Sequence, residues 1–200
     1  MTAAAEVPDG RRLRREQNRE AVIDALVALF EEGRYQPGTA EIAERAGLSP
    51  RSLFRYFDDA DDLNHAAIDR QLAKARPLLA VGVGPDAPTA EKIRHLVAAR
   101  VKLHETTAPA ARAARASAHR RPVVATQLHD ARSFLRHQIE RLFAAELGGA
   151  RAVLLPAVDA LCSFETYELL RHDHGLSRSK VTSALVAALT TLLDPDGGSR

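Results

Sequence analysis

Thr39-Ala-Glu-Ile-Ala-Glu-Arg-Ala-Gly-Leu-Ser-Pro-Arg-Ser-Leu-Phe-Arg-Tyr-Phe57 decides how this chain is read. Ile42, Ala43 and Ala46 lie at i, i+1 and i+4, which places them on one face of a helix. Gly47 stops that helix, because glycine enters the left-handed conformation after a helix end at little cost. Ser49 is placed to cap a second helix, with Pro50 in its first turn, where a missing N–H does no harm. Leu53 and Phe57, four apart, face inward and leave Arg51, Ser52, Arg55 and Tyr56 to a partner. A short, stiff helix with a cationic outer face suits a DNA major groove, so the stretch reads as a helix-turn-helix.

On its N-terminal side, residues 11–20 carry five arginines (11, 12, 14, 15 and 19) against two glutamates. The chain as a whole has 200 residues and a formal charge of only +2, so the distribution of charge says more than its total. Residues 100–141 hold nine Lys or Arg against three acids, a second basic run expected to be a solvated helix face and a hint of an acidic effector. The only cysteine, Cys162, sits among apolar neighbours and reads as a packed thiol in a reducing cytoplasm. No apolar run approaches the roughly 20 residues a bilayer requires, and the first ten residues lack the pattern of a secretory signal. The expectation is a cytoplasmic protein without membrane association.

Helical periodicity runs through the rest, which makes the fold class all-α with about nine helices. The first helix is expected from about Arg14 to Glu32, with Val22, Ala25, Leu26, Leu29 and Phe30 inward; Gly33 ends it and Thr39 caps the next. Asp58 or Asp59 caps a fourth helix that buries Leu63, Ala67 and Ile68 and runs towards Pro77. Residues 82–88 form a loop; the glycines there lack the third member and the flanking strand of a dinucleotide site. Further helices are expected from Thr89 to about Glu105, from Pro109 to about His119, from Pro122 to about Leu147, from Ala150 to about His174, and from Ser177 to Leu193. The last two are apolar around more than one face, so one side belongs to the core and the other wants a partner. Ala157, Ala160, Ala184 and Ala187 would let helices approach closely, which suits a two-fold dimer through a four-helix bundle. The dimer residues expected on this basis are Leu161, Phe164, Glu165, Leu169, Leu185, Leu189 and Leu192.

Ile42-Ala43, Ala46-Gly47-Leu48-Ser49, Leu53-Phe54, Phe57 and Leu63, together with the helix order over residues 11–193, resemble the tetracycline-repressor (TetR) family of bacterial transcription factors. Phe164-Glu165, Leu169-Leu170-Arg171 and Gly175-Leu176-Ser177 are similar to the boundary of the final two helices in that family. The resemblance implies a basic disordered arm at 1–13, a three-helix DNA-binding domain at 14–58, a ligand-binding and dimerisation domain at 59–193 and a disordered tail at 194–200. It further implies a homodimeric repressor that grips a palindromic double-stranded DNA operator and is released by a small-molecule effector. Matching positions give Arg51, Ser52 and Arg55, led by Pro50, to base edges, and Thr39, Ser49 and Tyr56 to phosphates, with Arg11, Arg12 and Arg14 as an accessory arm.

The effector would lie among helices four to eight, where Leu103, Thr126, Phe134, Gln138 and Phe164 are candidate wall residues. Three positions depart from the family pattern: Phe54 replaces a tyrosine, Tyr56 a histidine, and Ala60, set among Asp58, Asp59, Asp61 and Asp62, a lysine. The alternative these departures motivate is a dimeric interaction protein whose DNA reader has degenerated. No nucleophile–base constellation, phosphate loop or metal spacing is present, so neither an enzyme, a cofactor nor a metal is expected. His172 and His174, two apart on a helix, point to different faces.

Overall fold

The structure is a computed structural model that describes residues 10–193. The expected disordered arm and tail fall largely on residues 1–9 and 194–200, outside the described residues. Among the described residues there are nine α-helices and no strand.

The first helix, α1 (Gly10–Glu31), begins four residues before the expected Arg14, so Arg11, Arg12 and Leu13 are helical and not part of an arm. It buries Val22, Ala25, Leu26, Leu29 and Phe30, and Gly33, with φ +81°, lies in the turn that follows it. Next come α2 (Thr39–Arg45), α3 (Pro50–Leu53) and α4 (Ala60–Ala75). The cap residue of α2 is Gly38, not Thr39, which is the first helical residue instead. Asp59 caps α4 as expected: its Oδ1 accepts the N–H groups of Asp61 and Asp62, each at 2.8 Å. Leu63 and Ala67 of α4, with Ala113 from far along the chain, complete the core of the first three helices. The N-terminal packing unit therefore extends beyond the expected boundary at residue 58.

The 30-residue α5 (Thr89–Ala118) replaces the two helices expected on either side of Pro109. Proline removes one N–H, and the carbonyl it leaves without a helical partner belongs to exposed Glu105, where water can reach it. Thr106 and Thr107 donate their hydroxyls to the carbonyls of Lys102 and Leu103, four residues back. What keeps the helix continuous is packing at both ends. Ile93, Leu96, Val97 and Val101 enter the C-terminal core, while Ala113 enters the N-terminal one.

The next helix, α6 (Pro122–Leu142), stops five residues short of the expected Leu147, because the chain turns there to insert Phe143 and Leu147 into the C-terminal core. The single helix expected over 150–174 is in fact four pieces: a 3₁₀ segment (Gly149–Leu154), α7 (Leu155–Leu161), α8 (Phe164–Glu168) and a π-turn (Leu169–Asp173). Ser163 makes the break by capping α8, its Oγ accepting the Thr166 N–H at 3.2 Å. Gly175, with φ +62°, ends the π-turn before α9 (Arg178–Leu193) packs along α5. No helix of the described residues is long and apolar enough to cross a membrane.

Candidate DNA-reading surface and ligand cavity

The turn between α2 and α3 is built as its residues dictate. Gly47 sits at φ +70°, and the Leu48 N–H reaches back to the Ala43 carbonyl at 2.9 Å. Ser49 Oγ accepts the Ser52 N–H at 3.2 Å and lies 2.9 Å from Ser52 Oγ. Leu53 and Phe57 are buried, so the remaining side chains of this segment have only one way to face. Arg51 and Arg55 are exposed, and Phe54 between them is 52% exposed. Tyr56 is half-buried, with its hydroxyl accepting the Asn18 amide at 2.8 Å. A bidentate pair from Arg45 to Glu32, at 2.7 and 2.6 Å, braces α2 against the end of α1, and Arg19 lies 5.0 Å over the Phe57 ring.

Arg11, Arg12 and Arg14 project from the first turns of α1 on its exposed part. Thr39 is half-buried at the N-terminal end of α2, in a crevice shared with Gln36, Arg120 and Arg121. The acids that follow the reader are engaged locally. Asp59 caps α4, Asp62 accepts the Asp58 N–H at 3.2 Å, and Asp61 pairs with Arg121 at 2.8 Å.

The second basic run is therefore not a purely solvated face. Arg112 pairs with Glu168 at 2.6 Å and reaches the Tyr35 hydroxyl at 3.4 Å, and Arg115 bonds Glu165 at 2.9 Å. Arg120 holds Gln36, whose amide also donates to the Ala116 carbonyl at 3.0 Å. The Tyr35 and Gln36 contacts seat the loop after α1 on the end of α5, and the two glutamate pairs tie α5 to α8.

A cavity of about 820 Å³ lies between α4, α5, α6, α7 and the start of α8. Its wall is mostly apolar: Ile68, Leu103, Leu128, Phe134, Leu155 and Phe164 all contribute. Of the five residues expected there, Leu103, Phe134 and Phe164 line it and two do not. Thr126 is exposed and spends its hydroxyl on the Pro122 carbonyl, while Gln138 does not line the cavity and donates to the carbonyl of Leu79, a wall residue, at 2.9 Å.

Among the polar groups of the wall, Arg100 is 1% exposed and Gln127 half-buried. Arg100 occupies the same stripe as Ile93, Leu96, Val97 and His104; its position at that spacing is the sequence signal that marks it as buried. His104 Nε2 lies 2.9 Å from the Cys162 carbonyl, which the break before Ser163 leaves accessible. Burial pushes the imidazole down to about 4, so the ring is neutral at pH 7 and carries its proton on Nε2. It stacks edge-on against Phe164 at 5.7 Å, and the Arg115 guanidinium covers the Phe164 ring at 4.3 Å. Burial pushes the Cys162 thiol up to about 12, which makes it inert. Among the described residues, no cluster of three His, Cys, Asp or Glu is arranged to hold a metal.

The expected dimer residues separate into two sets. Phe164, Leu185 and Leu189 are buried in the protomer's own core and cannot meet a partner, because α8 and α9 turn these side chains towards α5. Leu169 is exposed, Leu161 and Leu192 are half-buried, and Glu165 is held by Arg115 and Arg132. Ala157, Ala160, Ala184 and Ala187 are all exposed.

Residues 22–67 match the family of bacterial regulatory proteins of the tetR type. No curated protein matches the sequence. Solved structures do. A putative TetR-family transcriptional regulator from Rhodococcus sp. is 18% identical, covering 89% of this chain and 100% of that one, with a TM-score of 0.68. A transcriptional regulator from Rhodococcus sp. Rha1 is 18% identical, covering 88% and 96%, with a TM-score of 0.71. A tetR-family transcriptional regulator from Streptomyces coelicolor is 19% identical, covering 88% and 80%, with a TM-score of 0.68.

Proposed function

From the premise that residues 22–67 form the DNA-binding domain of the tetR family and that the described chain has the fold of TetR-type regulators, we propose a ligand-responsive transcriptional repressor of the cytoplasm. It grips a palindromic operator as a homodimer and is released by a small molecule in the cavity. The observation that carries this reading is the rigid presentation of Arg51 and Arg55 by the capped, glycine-hinged α2–α3 unit, joined through α4 and α5 to a cavity of ligand size.

In this reading Arg51, Ser52 and Arg55 address base edges, with Ser49, Thr39 and Tyr56 on phosphates. Tyr56 accepts from Asn18, which leaves its own hydroxyl proton to donate. The arginines at 11, 12 and 14 add phosphate contacts from a helical lead. The exposed alanines of α7 and α9, with Leu161, Leu169 and Leu192 beside them, form the face that pairs two protomers. Pairing must set the two readers about 34–36 Å apart to meet successive major grooves. An occupied cavity favours a spacing that cannot hold both half-sites. The engaged state of Asp59, Asp61 and Asp62 weighs against a degenerate reader.

The test is salt-titrated binding to the DNA upstream of the protein's own gene, with Arg51→Ala and Arg55→Ala beside the natural chain. Each substitution should cost about 1–3 kcal/mol of affinity for the specific site. Equal affinity for that DNA and for random DNA at every salt concentration would reject operator recognition.

A further inference from the structure

We propose that the cavity takes an amphipathic monoanion, a carboxylate on an apolar body, whose charged head pairs with Arg100; this deepens, and rests on, the reading of the cavity as the effector site. Arg100 is 1% exposed, and only its Nη2 has a protein partner, the Leu135 carbonyl at 3.0 Å. Its Nε and Nη1 have none, so at least three N–H donors of a buried cation point at no acceptor. Among the described residues, no carboxylate lies within ion-pair distance of it.

A buried, unpaired guanidinium is among the costliest arrangements a core can hold, and stability is commonly given up in this way where a ligand will complete the site. The group works against its own charge: burial holds its pKa below the ordinary arginine value, with Asp159 and Cys162 only distant partners. Neither acid on the wall is placed to serve it. Glu165 is already held by Arg115 and Arg132, and Asp159 acts on Arg100 only through space, with no hydrogen bond or ion pair to it. Four arginines (100, 115, 132 and 136) face these two acids around the cavity, and His104 is neutral.

The rest of the wall fixes the remainder of the ligand. Phe134, Phe164, Leu103 and Leu155 offer an apolar surface, which excludes a small dianion such as phosphate as the natural occupant. Gln127 adds one more orphan, its Oε1, which can take a hydroxyl or N–H on the ligand body. One deep cation, one orphaned amide and a greasy enclosure describe a carboxylic acid of drug size.

The test titrates the full chain calorimetrically with decanoate, decanol and decyltrimethylammonium, and follows thermal denaturation of the ligand-free natural chain, Arg100→Met and Arg100→Lys. Decanoate should bind at least about tenfold more tightly than decanol, and the cation more weakly than either. Arg100→Met should bring decanoate down to the level of decanol, while its ligand-free form melts no earlier than the natural chain. Arg100→Lys should keep part of the preference. Equal binding of acid and alcohol by the natural chain overturns the anion site but leaves an effector cavity standing. Binding of none of the three probes removes the cavity reading itself. An Arg100→Met protein that melts far earlier, or retains the acid preference, assigns Arg100 to structure alone.

Discussion

Arg121 Nε lies 2.8 Å from Asp61 Oδ1, so the residue just before α6 is tied to the first turn of α4. Both helices line the cavity, but α4 also reaches the DNA-reading unit. Leu128 and Phe134 of α6 wall the cavity, while Leu63 and Ala67 of α4 complete the core beneath the DNA reader. A partly exposed pair of this kind contributes about 0–1 kcal/mol to stability, so its position matters more than its energy. Arg121→Ala should accordingly fold normally and bind DNA, yet lose less DNA affinity when the cavity is filled. The measurement is the ratio of DNA dissociation constants with and without saturating ligand, compared between the natural chain and the variant. An unchanged ratio would move the coupling to the Gln36 contacts with Ala116 and Arg120.

Phe54 presents a half-exposed aromatic ring between two arginines, on a surface whose other reaching groups are polar. A ring there cannot take a phosphate, but it can rest on a thymine methyl in the major groove. Phe54→Ala should therefore erase a preference for thymine at one position of each half-site, at a cost of about 1 kcal/mol per site. Because no phosphate contact is lost, the slope of log affinity against log salt should stay where it was. A variant that binds every operator more weakly by one common factor, with a shallower slope, would show Phe54 to be acting through backbone contacts.

The reader was legible in the sequence because each of its devices is local. Gly47 stops a helix, Ser49 caps the next within three residues, and Leu53 and Phe57 face inward by spacing alone. Farther along, distant packing overrides local signals. Pro109 reads as a boundary, yet α5 runs through it because its two ends are buried in separate cores. Ser163 does the reverse: set in an apolar run it reads as helix, but its hydroxyl caps α8 and frees the Cys162 carbonyl for His104. That break keeps Phe164 in the cavity wall, as expected, and turns it away from any partner, which helical periodicity does not reveal. Thr126 and Gln138 fail as wall residues for the same kind of reason, since the Thr126 hydroxyl and the Gln138 amide N–H are drawn to the carbonyls of Pro122 and Leu79.

Exposed Ala184 and Ala187 lie on the face of α9 opposite buried Leu185 and Leu189. Small side chains there allow close helix approach, and a long charged one would prevent it. Ala187→Arg should convert the proposed dimer to monomer in sedimentation velocity and lower operator affinity by orders of magnitude, because one half-site alone lacks the joined contacts. The protomer's own core is untouched, so circular dichroism should report the same helix content. A variant that still sediments as a dimer would place the interface elsewhere.

His104 gives the protein a pH dependence of defined sign. Its ring is held neutral in the fold, mainly by burial, with a pKa of about 4 against 6.5 for an ordinary histidine. Above pH 6.5 neither state takes up the proton and nothing is lost. As pH falls from 6.5 towards 4, the unfolded chain gains a proton that the folded one resists, so stability declines over that window and levels off below it. The shift corresponds to an upper bound of about 3 kcal/mol, and roughly 2 kcal/mol of it should be gone by pH 4.5. Glu165 acts lower. Burial opposes its ionisation, but hydrogen bonds from Arg115 and Arg132 hold it at about 2, so its contribution fades only below 4.5. Urea denaturation at pH 7 and pH 4.5 separates the two: His104→Gln should flatten the difference between those pH values, whereas Glu165→Gln should not. If the natural chain and His104→Gln lose the same stability between pH 7 and 4.5, the imidazole is not the group that titrates, and its burial against Phe164 and Tyr167 is looser than the ring geometry indicates.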